Sequence, residues 1–445
     1  MEFKSFAIKL IDKLPITLQR IIYMIIIETK FAFFKIKWAH RTIEIPNPAN
    51  IYWIPTERIV YLTNYVGNRN PETTSLEDRP FPDLEKIRGK VLSGNWDVSN
   101  YKFTDLDAYR AFRERIEKGA EWRDTDFYKN ILTRIESGQH IWNLKNSADL
   151  DKRCEYFDWL YKKIKNEGYK INRSNRYKNT DFDEITVNIG RNGEYLFQDG
   201  RHRLSIAKIL GIAYVPVMVS VRHKKWLEFR KFIISYAESL TLGGKLYQPI
   251  VHPDLSDIPF DSQSHDYHRL MVTIAKHIEK KRGIMLDIGA NLGFFCHKFE
   301  DLGYRCYAVE NDPATFSIME KVRIAENKKF KAINASIFDL DCIKDMHFDV
   351  VLALNIFHHF LKRKTLYNNL INLLENLKMD NMLFEPHLPH EAQMSDAFVN
   401  YSQIEFVDFI MKHTSFTKSE VIYSANNGRH VYLLSKDKAT KNVAS

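Results

Sequence analysis

The residues best suited to chemistry are two carboxylates that bracket a glycine-rich turn. The turn lies in LDIGANLGFF, residues 286–295, which contains Asp287, and the next apolar stretch, CYAVEND, carries Glu310 near its end. A buried strand, a glycine-rich turn, a helix and a second strand make up the βαβ unit that binds nucleotides. A carboxylate at the end of the second strand can accept hydrogen bonds from both hydroxyls of a ribose. These residues predict a site for a nucleoside-containing cofactor.

The spacing within the turn narrows the choice of cofactor. Gly289 and Gly293 let the backbone turn sharply and approach a ligand where a Cβ would clash, and the following helix points its first N–H groups towards an anionic group. The pattern D-x-G-x-N-x-G, with Asn291 in its centre, differs from the G-x-G-x-x-G pattern of dinucleotide enzymes. A pyrophosphate is therefore not the expected ligand. The alternative is a generic strand-to-helix turn beside a solvated acid.

This pattern resembles motif I of the class I S-adenosylmethionine-dependent methyltransferases, and the segments after it fit that family. INASIFDLD, residues 333–341, is a short strand that ends in polar residues, where the family usually places an acid or amide near the adenine; Asp339 is the candidate, with Ser336 as a second one. FDVVLALNIFHHFL, residues 348–361, contains the continuous apolar run of a central parallel strand. The resemblance spans residues 265–436 and implies S-adenosylmethionine (SAM) as cofactor. The residues it assigns to cofactor binding are Asp287, Gly289, Asn291, Gly293, Glu310, Asp339 and Asn355.

Polar residues at the ends of two later strands are candidates for contact with the methyl acceptor. His358 and His359 follow Asn355 in an N-x-F-H-H arrangement that resembles motif IV of small-molecule methyltransferases, and Glu385 ends the strand of MLFEPHLP. Methyl transfer from a sulfonium is an in-line displacement, so positioning provides much of the rate, and an alcohol acceptor also needs a base. Either histidine suits that role by its ordinary pKa, or it caps the strand end or packs beneath the cofactor. Glu385 either holds an acceptor hydroxyl or is an ordinary solvated acid.

A second chemically distinctive group lies in the other half of the chain. ITVNIGRNGEYLFQDGRHRL, residues 185–204, reads as a strand, an Asn-Gly hairpin turn, a second strand and a tight turn that opens a helix. The helix begins after Asp199 and Gly200 with Arg201, His202 and Arg203. Basic side chains at a helix N-terminus, where the backbone already favours anions, predict a phosphate site.

DGRHRL resembles the turn of the ParB/sulfiredoxin-like domain, in which a G-x-H-R sequence at a helix start contacts phosphate. Members of that group include nucleases, CTP-binding partition proteins, sulfiredoxins and a free-serine kinase. Sulfiredoxin activity is not expected, because Arg201 stands where those enzymes carry a cysteine. The alternative is that the basic residues only cap and solvate the helix. The resemblance implies a phosphate site at Asp199, Gly200, Arg201, His202 and Arg203, and a catalytic acid at Glu184.

The order of these elements predicts an α/β protein with two folded domains. A chain of 445 residues exceeds the size at which a single core stops growing. Residues 241–265 are rich in glycine, proline, serine and aspartate without helical periodicity, which is typical of a linker or an extended connection. The predicted organisation is an N-terminal extension (1–90), an α+β ParB/sulfiredoxin-like domain (91–240), a linker (241–265), and a methyltransferase domain with a doubly wound, Rossmann-like sheet (266–440).

Composition limits the partners and the compartment. The four cysteines, at 154, 296, 306 and 342, have no C-x-x-C spacing, so neither a metal site nor a disulfide framework is predicted and a reducing cytoplasm is expected. The net charge of +9 suits nucleic acid, lipid headgroups or a phosphorylated substrate. The basic residues are spread along the chain and no known nucleic-acid-binding motif occurs, so nucleic acid is not the favoured partner.

The N-terminal segment bears on location. Residues 21–27 are apolar and lie between Arg20 and Lys30, whereas a spanning helix needs about 20 apolar residues. No small-residue cleavage site follows, so a signal peptide is not expected. A basic amphipathic segment can lie on an anionic lipid surface, at the inner face of the membrane, or it can be buried against the first domain. Both interpretations fit the sequence.

Two functions fit these motifs. In the first, the protein is bifunctional: it O-methylates a cell-envelope glycan, a lipid-linked saccharide or a phosphorylated small molecule, and the DGRHRL domain binds ATP or another nucleotide as a kinase. The arrangement is analogous to that of kinase–methyltransferases that terminate polysaccharide chains. If a new phosphate were the methyl acceptor, no base would be needed. In the second, only the methyltransferase is catalytic, and the first domain recognises nucleic acid or a phosphorylated polymer.

Overall fold

The structure is a computed structural model of the chain. It describes residue 18 and residues 45–64, 87–139, 141–142, 144–171, 184–262, 266–278, 282–340, 343 and 345–436. The basic and apolar segment around residues 21–27, and with it the predicted membrane contact, lies outside the described residues. The chain divides into two compact units, Met1–Lys231 and Phe232–Ser445.

Among the described helices, none is both long enough and apolar enough to cross a bilayer.

The first unit is built on a mixed sheet of six strands, in the order β1-β6-β4-β5-β2 with β3 beside β6. The hairpin predicted at the Asn-Gly turn is confirmed, since β4 and β5 pair in antiparallel fashion and Gly193 has a φ of 87°. The β-branched strand β6 is almost wholly buried, which explains its apolar sequence. The strands are β1 (Ile51–Pro55), β2 (Tyr61–Leu62), β3 (Val91–Leu92), β4 (Ile185–Ile189), β5 (Tyr195–Asp199) and β6 (Tyr214–His223).

Helices give the first unit its α+β character. A core of aromatic side chains, including Phe112, Trp122, Phe127 and Phe157, forms where the first three helices pack with Ile206 of the fourth. The ParB/sulfiredoxin resemblance itself remains a prediction. The helices are α1 (Asp107–Lys118), α2 (Asp126–Glu136), α3 (Ser147–Glu167), α4 (Arg201–Ile209) and α5 (Lys224–Ser239), the last of which ends in the second unit.

The second unit contains a seven-stranded sheet in the order β12-β13-β11-β10-β7-β8-β9. Five neighbouring strands, β11, β10, β7, β8 and β9 in sheet order, are parallel to one another. Strand β13 runs antiparallel to both of its neighbours, β11 and β12. This confirms the predicted doubly wound, Rossmann-like sheet. Its strand order reverses between β7 and β10, and such sheets bind ligands outside the carboxyl ends of the strands at that point. The strands are β7 (Ile284–Ile288), β8 (Arg305–Glu310), β9 (Lys331–Asn334), β10 (His347–Leu354), β11 (Lys378–Glu385), β12 (Lys418–Ser424) and β13 (His430–Ser435).

Both faces of this sheet are covered. Alternate residues of β10 enter two different apolar cores: Val351 and Ala353 pack in one, and Val350 and Leu352 in the other. A strand buried on both faces needs apolar residues at every position, which accounts for the continuous apolar run. The helices are α6 (Tyr267–His277), α7 (Phe294–Asp301), α8 (Pro313–Ala325), α9 (Lys364–Asn376) and α10 (Gln403–Lys412).

The predicted linker, residues 241–265, contains no α-helix within its described part. It bends through a short 3₁₀ turn at Pro253–Leu255 and pairs Leu246 with Phe260 in an isolated bridge. Leu246, His252 and Leu255 are buried. The described part of this segment, residues 241–262, is therefore an extended connection that packs within the second unit.

Candidate functional site

The glycine-rich turn after β7 is held by its own backbone. Gly289, Asn291 and Gly293 all have positive φ angles, of 72°, 53° and 77°. The N–H groups of Gly289 and Ala290 both donate to the carbonyl of Val309 at 2.9 Å, which ties the turn to β8. The left-handed conformation explains the two glycines and the asparagine, since asparagine tolerates this region better than most residues.

Close packing is a second reason why these positions require glycine. A Cβ at Gly289 would lie 2.8 Å from side-chain atoms of Ile356, and one at Gly293 would lie 2.9 Å from Cγ of Met319. Sequence reasoning placed a ligand in this space. The structure shows that side chains of the protein itself already require glycine there.

Glu310, at the end of β8, is fixed by main-chain donors. Its Oε2 accepts from the N–H of Asn291 at 2.9 Å, and its Oε1 accepts from the N–H of Asp312 at 2.8 Å. Burial raises the pKa of Glu310 above its usual value, although these hydrogen bonds oppose that shift. Each oxygen keeps a further lone pair, so the carboxylate is oriented to accept two hydroxyl hydrogens at once.

Asp287 occupies a different environment in β7. Its side chain is buried, and the Sγ of Cys296 lies 3.7 Å from Oδ2 as a weak donor. Burial raises the pKa of Asp287 to about 7. A cationic group brought next to this carboxyl would favour its ionised form. Asp287 and Glu310 thus differ in kind: one is a buried acid and the other a positioned acceptor.

The remaining predicted cofactor residues lie at neighbouring strand ends. Asp339 is exposed, in the 3₁₀ turn Ile337–Asp339 after β9, and Ser336 caps this turn. Asn355, after β10, has a φ of 56°, and its N–H donates to the carbonyl of Glu385 at 3.3 Å. A contact that sequence reasoning missed comes from the predicted linker, where Oε1 of Gln248 accepts from the N–H of Phe294 at 3.3 Å, at the start of α7.

Glu385 is not a solvated acid. It is buried, and the guanidinium of Arg429 lies 3.7 Å from its carboxylate. Arg429 also binds Glu391 in a bidentate way, at 2.8 Å and 2.6 Å, and donates to Oδ1 of Asn355. Burial alone would raise the pKa of Glu391, but the hydrogen bonds from Arg429 and Gln393 lower it. One buried cation therefore pairs with two acids beside the end of β10.

Sequence reasoning missed Arg429. It lies next to an Asn-Gly turn between β12 and β13, and the carbonyl of Arg429 accepts from the N–H of Ala425 at 2.9 Å. The available signal was this turn, which marks a hairpin. The contact with Glu385 depends on β13 lying between β11 and β12, and local sequence does not reveal that order.

The two adjacent histidines differ from the prediction. Burial lowers the pKa of His358 to about 2, and desolvation of the His359 ring, which keeps an exposed edge, lowers its pKa to about 4. Efficient general bases have pKa values near the working pH. Both shifts therefore run against the neutral pKa on which the base role was predicted. The ring centroids of His358 and His359 lie 4.0 Å apart, and the ring centroid of His387 lies 6.0 Å from that of His358.

The DGRHRL turn of the first unit also has a left-handed glycine. Gly200 precedes α4 with a φ of 92°, and its N–H donates to Oδ1 of Asp199 at 2.7 Å. A Cβ at Gly200 would lie 3.0 Å from Cα of Ile185, and Glu184, the residue before Ile185, is buried. The strand end, the turn and the predicted acid are therefore neighbours in space.

His202 does not act as a solvated helix cap. Its ring packs against Phe157 at 4.3 Å and Trp142 at 5.3 Å between ring centroids. Burial lowers its pKa well below the usual value, and the positive charges of Arg201, Arg153 and Arg203 lower it further. Arg153, which sequence reasoning missed, lies over the Trp142 ring at 5.5 Å and over the Phe157 ring at 5.4 Å. Three guanidinium groups and one neutral imidazole thus surround this helix start.

Comparison with known proteins identifies the class of the second unit. Residues 286–376 match the methyltransferase domain family, which covers the strands β7 to β10 and the turn described above. The chain therefore contains a class I methyltransferase domain, and this family implies SAM as cofactor. No curated protein matches the chain.

Several solved structures match parts of the chain. A structure of the bifunctional kinase-methyltransferase WbdD is 15% identical, covers 46% of this chain and 46% of its own, and has a TM-score of 0.37. PH0226 from Pyrococcus horikoshii OT3 is 16% identical, covers 40% of this chain and 93% of its own, and has a TM-score of 0.31. Magnesium protoporphyrin IX methyltransferase (ChlM) from Synechocystis PCC 6803, with bound SAM, is 10% identical, covers 38% and 77%, and has a TM-score of 0.30. The chain spans about half the length of the WbdD structures it matches.

Proposed function

We propose that the second unit O-methylates a hydroxyl-bearing acceptor, with a cell-envelope glycan, a lipid-linked saccharide or a phosphorylated small molecule as the substrate class. The observation that carries this proposal is the grouping of polar residues at the carboxyl ends of parallel strands. Glu310 provides a positioned carboxylate on one side of the switch point, and Glu385, Arg429 and the histidines provide a buried polar cluster on the other. Bound SAM would supply an electrophilic methyl group.

The residues of the cofactor half have separate roles in this proposal. Glu310 holds the ribose hydroxyls, and Gly289, Asn291 and Gly293 shape the turn that passes beside the ligand. Buried Asp287 faces the cationic part of the cofactor, where a positive charge would lower its raised pKa. Asp339 is placed for the adenine, and Asn355 lies between the two halves of the site.

The acceptor half positions the substrate oxygen for in-line attack. Attack of the hydroxyl oxygen on a bound sulfonium methyl would form the C–O bond and break the C–S bond. The alkylated oxygen would then be strongly acidic and would lose its proton to solvent water. A strong base is then unnecessary, which agrees with the lowered pKa values of His358 and His359. These histidines and Glu385 are assigned to binding and orienting the acceptor.

Calorimetric titration with SAM tests the cofactor site. We expect Glu310→Ala to weaken SAM binding about 100-fold, because two hydrogen bonds to a charged acceptor are lost. Asp287→Ala should abolish measurable binding. The control is Arg203→Ala in the first unit, which should bind SAM like the wild type. Normal SAM affinity in both acid variants would reject the site assignment.

We further propose that the first unit binds a phosphate-containing ligand, ATP or another nucleotide, at DGRHRL. Support comes from the positive charges of Arg153, Arg201 and Arg203, which all act on His202 at a helix start. Asp199 and Gly200 form the turn, and Glu184 is the candidate acid if the unit is a kinase. Should the ligand be a polymer, the unit is a recognition module instead.

Titration with ATP, ADP and CTP separates these two functions. We expect nucleotide binding in the wild type and a loss of about tenfold or more in Arg203→Ala, since a charge-assisted hydrogen bond disappears. Glu310→Ala serves as the matched control and should bind nucleotide normally. Absence of nucleotide heat, together with salt-dependent binding of nucleic acid or a phosphorylated polymer, would favour the recognition module.

We also propose a cytoplasmic location, from cysteine usage, with peripheral contact of the N-terminal segment at the inner face of the membrane. Flotation with anionic vesicles, compared between the full chain and a variant with Lys30, Lys35 and Lys37 changed to glutamine, tests this contact.

A further inference from the structure

The hydrogen bonds of His358 define its tautomer. Its Nε2 lies 3.1 Å from Oε1 of Gln393, while Nε2 of the same amide donates to the carboxylate of Glu391 at 2.7 Å. A carboxylate only accepts, so the amide orientation is set and its oxygen faces the histidine. Nε2 of His358 therefore carries the hydrogen.

His387 is fixed in the same way by a different amide. Its Nε2 lies 2.9 Å from Oδ1 of Asn400, and Nδ2 of Asn400 donates to the carbonyl of Pro389 at 2.9 Å. A main-chain carbonyl also only accepts. His387 is therefore also an Nε2–H tautomer, and its Nδ1 carries a lone pair.

Both Nδ1 atoms are buried, and neither has a hydrogen-bond partner within the described part of the chain. Most buried polar atoms of folded proteins are hydrogen-bonded, because an unpaired one costs free energy. Two such atoms of one type, on rings whose centroids lie 6.0 Å apart, mark a place where a ligand can supply two hydrogens.

Their position agrees with a role at the acceptor. His358 lies in the 3₁₀ turn after β10, and His387 follows the end of the adjacent parallel strand β11. This is the edge at which doubly wound sheets bind ligands. The charged groups that act on the rings are Glu391 and Arg429 at His387, and Arg429 and Lys362 at His358. Arg429 already engages the carboxylates of Glu385 and Glu391.

We infer that the methyl acceptor is a neutral polyol, such as a sugar ring with adjacent hydroxyls, and that it donates one hydrogen to Nδ1 of His358 and one to Nδ1 of His387. A phosphomonoester dianion has no hydrogen to donate and would meet two lone pairs, while the guanidinium of Arg429 already engages Glu385 and Glu391. Phosphate is therefore not the methyl acceptor. This inference rests on the methyl transfer proposed for the second unit and defines its substrate class.

The tautomers are measured first, in the free full-length protein labelled with ¹⁵N at histidine. Protonated and lone-pair nitrogens differ widely in ¹⁵N shift. The chain has 16 histidines, so the two rings are assigned by the signals lost in His358→Gln and His387→Gln, with His358→Asn and His387→Asn as a second set. We expect both Nδ1 atoms to lack hydrogen. An Nδ1–H signal from either ring would overturn the inference.

The acceptor class is then tested with S-adenosylhomocysteine present to prevent turnover. The probes are methyl glycosides of mannose, glucose and galactose, with tetrahydropyran as the ring without hydroxyls. Methyl phosphate at about pH 8, where it is a dianion without a hydrogen to donate, is the anionic probe. We expect at least one glycoside to shift both Nδ1 signals and the two controls to shift neither. A response to methyl phosphate, or no response to any glycoside, counts against a neutral polyol.

The glutamine and asparagine variants show which ring nitrogen matters. Glutamine can keep a polar atom near the Nε2 position but has no acceptor at the Nδ1 position. Asparagine can keep an acceptor near the Nδ1 position but has no polar atom at the Nε2 position. With the responding glycoside, we expect the dissociation constant to rise about tenfold in His387→Gln and less in His387→Asn. Equal effects would indicate a purely structural role.

SAM titration of the same samples distinguishes failure of the proposed acceptor class from failure of the proposed methyl transfer. Wild-type protein that binds SAM, but whose histidine signals ignore the glycosides, contradicts only the acceptor class. Protein that does not bind SAM at all contradicts the proposed methyl transfer.

Discussion

The two units each begin a helix with a left-handed glycine after a buried strand, and they surround it with opposite charges. Gly200, with a φ of 92°, precedes α4, and Gly293, with a φ of 77°, precedes α7. Arginines surround the first helix start, whereas the acids Asp287 and Glu310 flank the turn before the second. The same backbone geometry thus begins both helices. The charge of the surrounding side chains, and not the turn, distinguishes the two helix starts.

The largest effect is expected at Arg429, the cation of the second unit that pairs with both Glu385 and Glu391. Arg429→Met leaves buried Glu385 and partly buried Glu391 without their cation, and breaking a buried ion pair by removing one partner costs about 3–5 kcal/mol. We expect the free energy of unfolding, measured by urea denaturation, to fall by that amount.

The matched control is Arg323→Met. Arg323 binds Glu320 in the same bidentate way, at 2.7 Å and 2.6 Å, but both side chains are partly exposed. We expect a loss of about 1 kcal/mol or less, because exposed pairs contribute little. If both variants lose the same amount, burial is not what separates the two pairs.

The next effect compares the two glycine turns directly. Alanine at either position would have a positive φ, which costs roughly 1 kcal/mol. At Gly200 the new Cβ would also approach the main-chain Cα of Ile185, which cannot rotate away, whereas at Gly293 it would meet the flexible side chain of Met319. We expect Gly200→Ala to destabilise by about 2 kcal/mol and Gly293→Ala by about 1 kcal/mol.

Urea denaturation of both variants measures this difference. Gly119→Ala is a useful control, since its φ is 71° and no atom lies within 4 Å of the added Cβ. Its loss should therefore reflect the backbone conformation alone. A Gly200→Ala variant no less stable than Gly119→Ala would show that the strand next to the turn can move.

The smallest effect is the change of stability with pH that buried Asp287 causes in the second unit. The pKa of Asp287 is raised to about 7, so the native state keeps a proton that the unfolded chain loses near pH 4. The unfolding free energy contributed by this group therefore falls as pH rises from about 4 to about 7. Asp287→Asn should remove that fall. SAM affinity of the wild type should rise about tenfold over the upper part of this range, as the carboxylate forms.

Urea denaturation and SAM titration between pH 5 and pH 8 measure both trends. Asp339→Asn, at an exposed acid of the same unit, is the control and should leave the stability profile unchanged. If the unfolding free energies of the wild type and of Asp287→Asn change with pH in parallel, Asp287 is ionised throughout this range.

Local sequence was sufficient for several features because their causes are local. The turn glycines at 289 and 293 follow from backbone conformation, and the apolar run of β10 follows from burial on both faces. The Asn-Gly hairpin and the helix start after Gly200 have equally local signals. These elements were predicted with the correct type and order.

The histidine pKa values could not be predicted in this way. An isolated imidazole titrates near neutral pH, and only the surrounding structure removes its water. His358 became a neutral ring held by Gln393, and His202 became part of an aromatic cluster with Arg153. Both outcomes depend on residues that are distant along the chain.

The sequence by itself determined the doubly wound unit, its glycine turn and the acids that flank the turn, because strand burial and backbone geometry leave periodic and local patterns. Tertiary structure alone decided which of the acids are paired. Arg429 reaches Glu385 only because β13 enters the sheet between β11 and β12. Such a contact joins segments with no fixed spacing, and its energy depends on the burial that the complete fold provides.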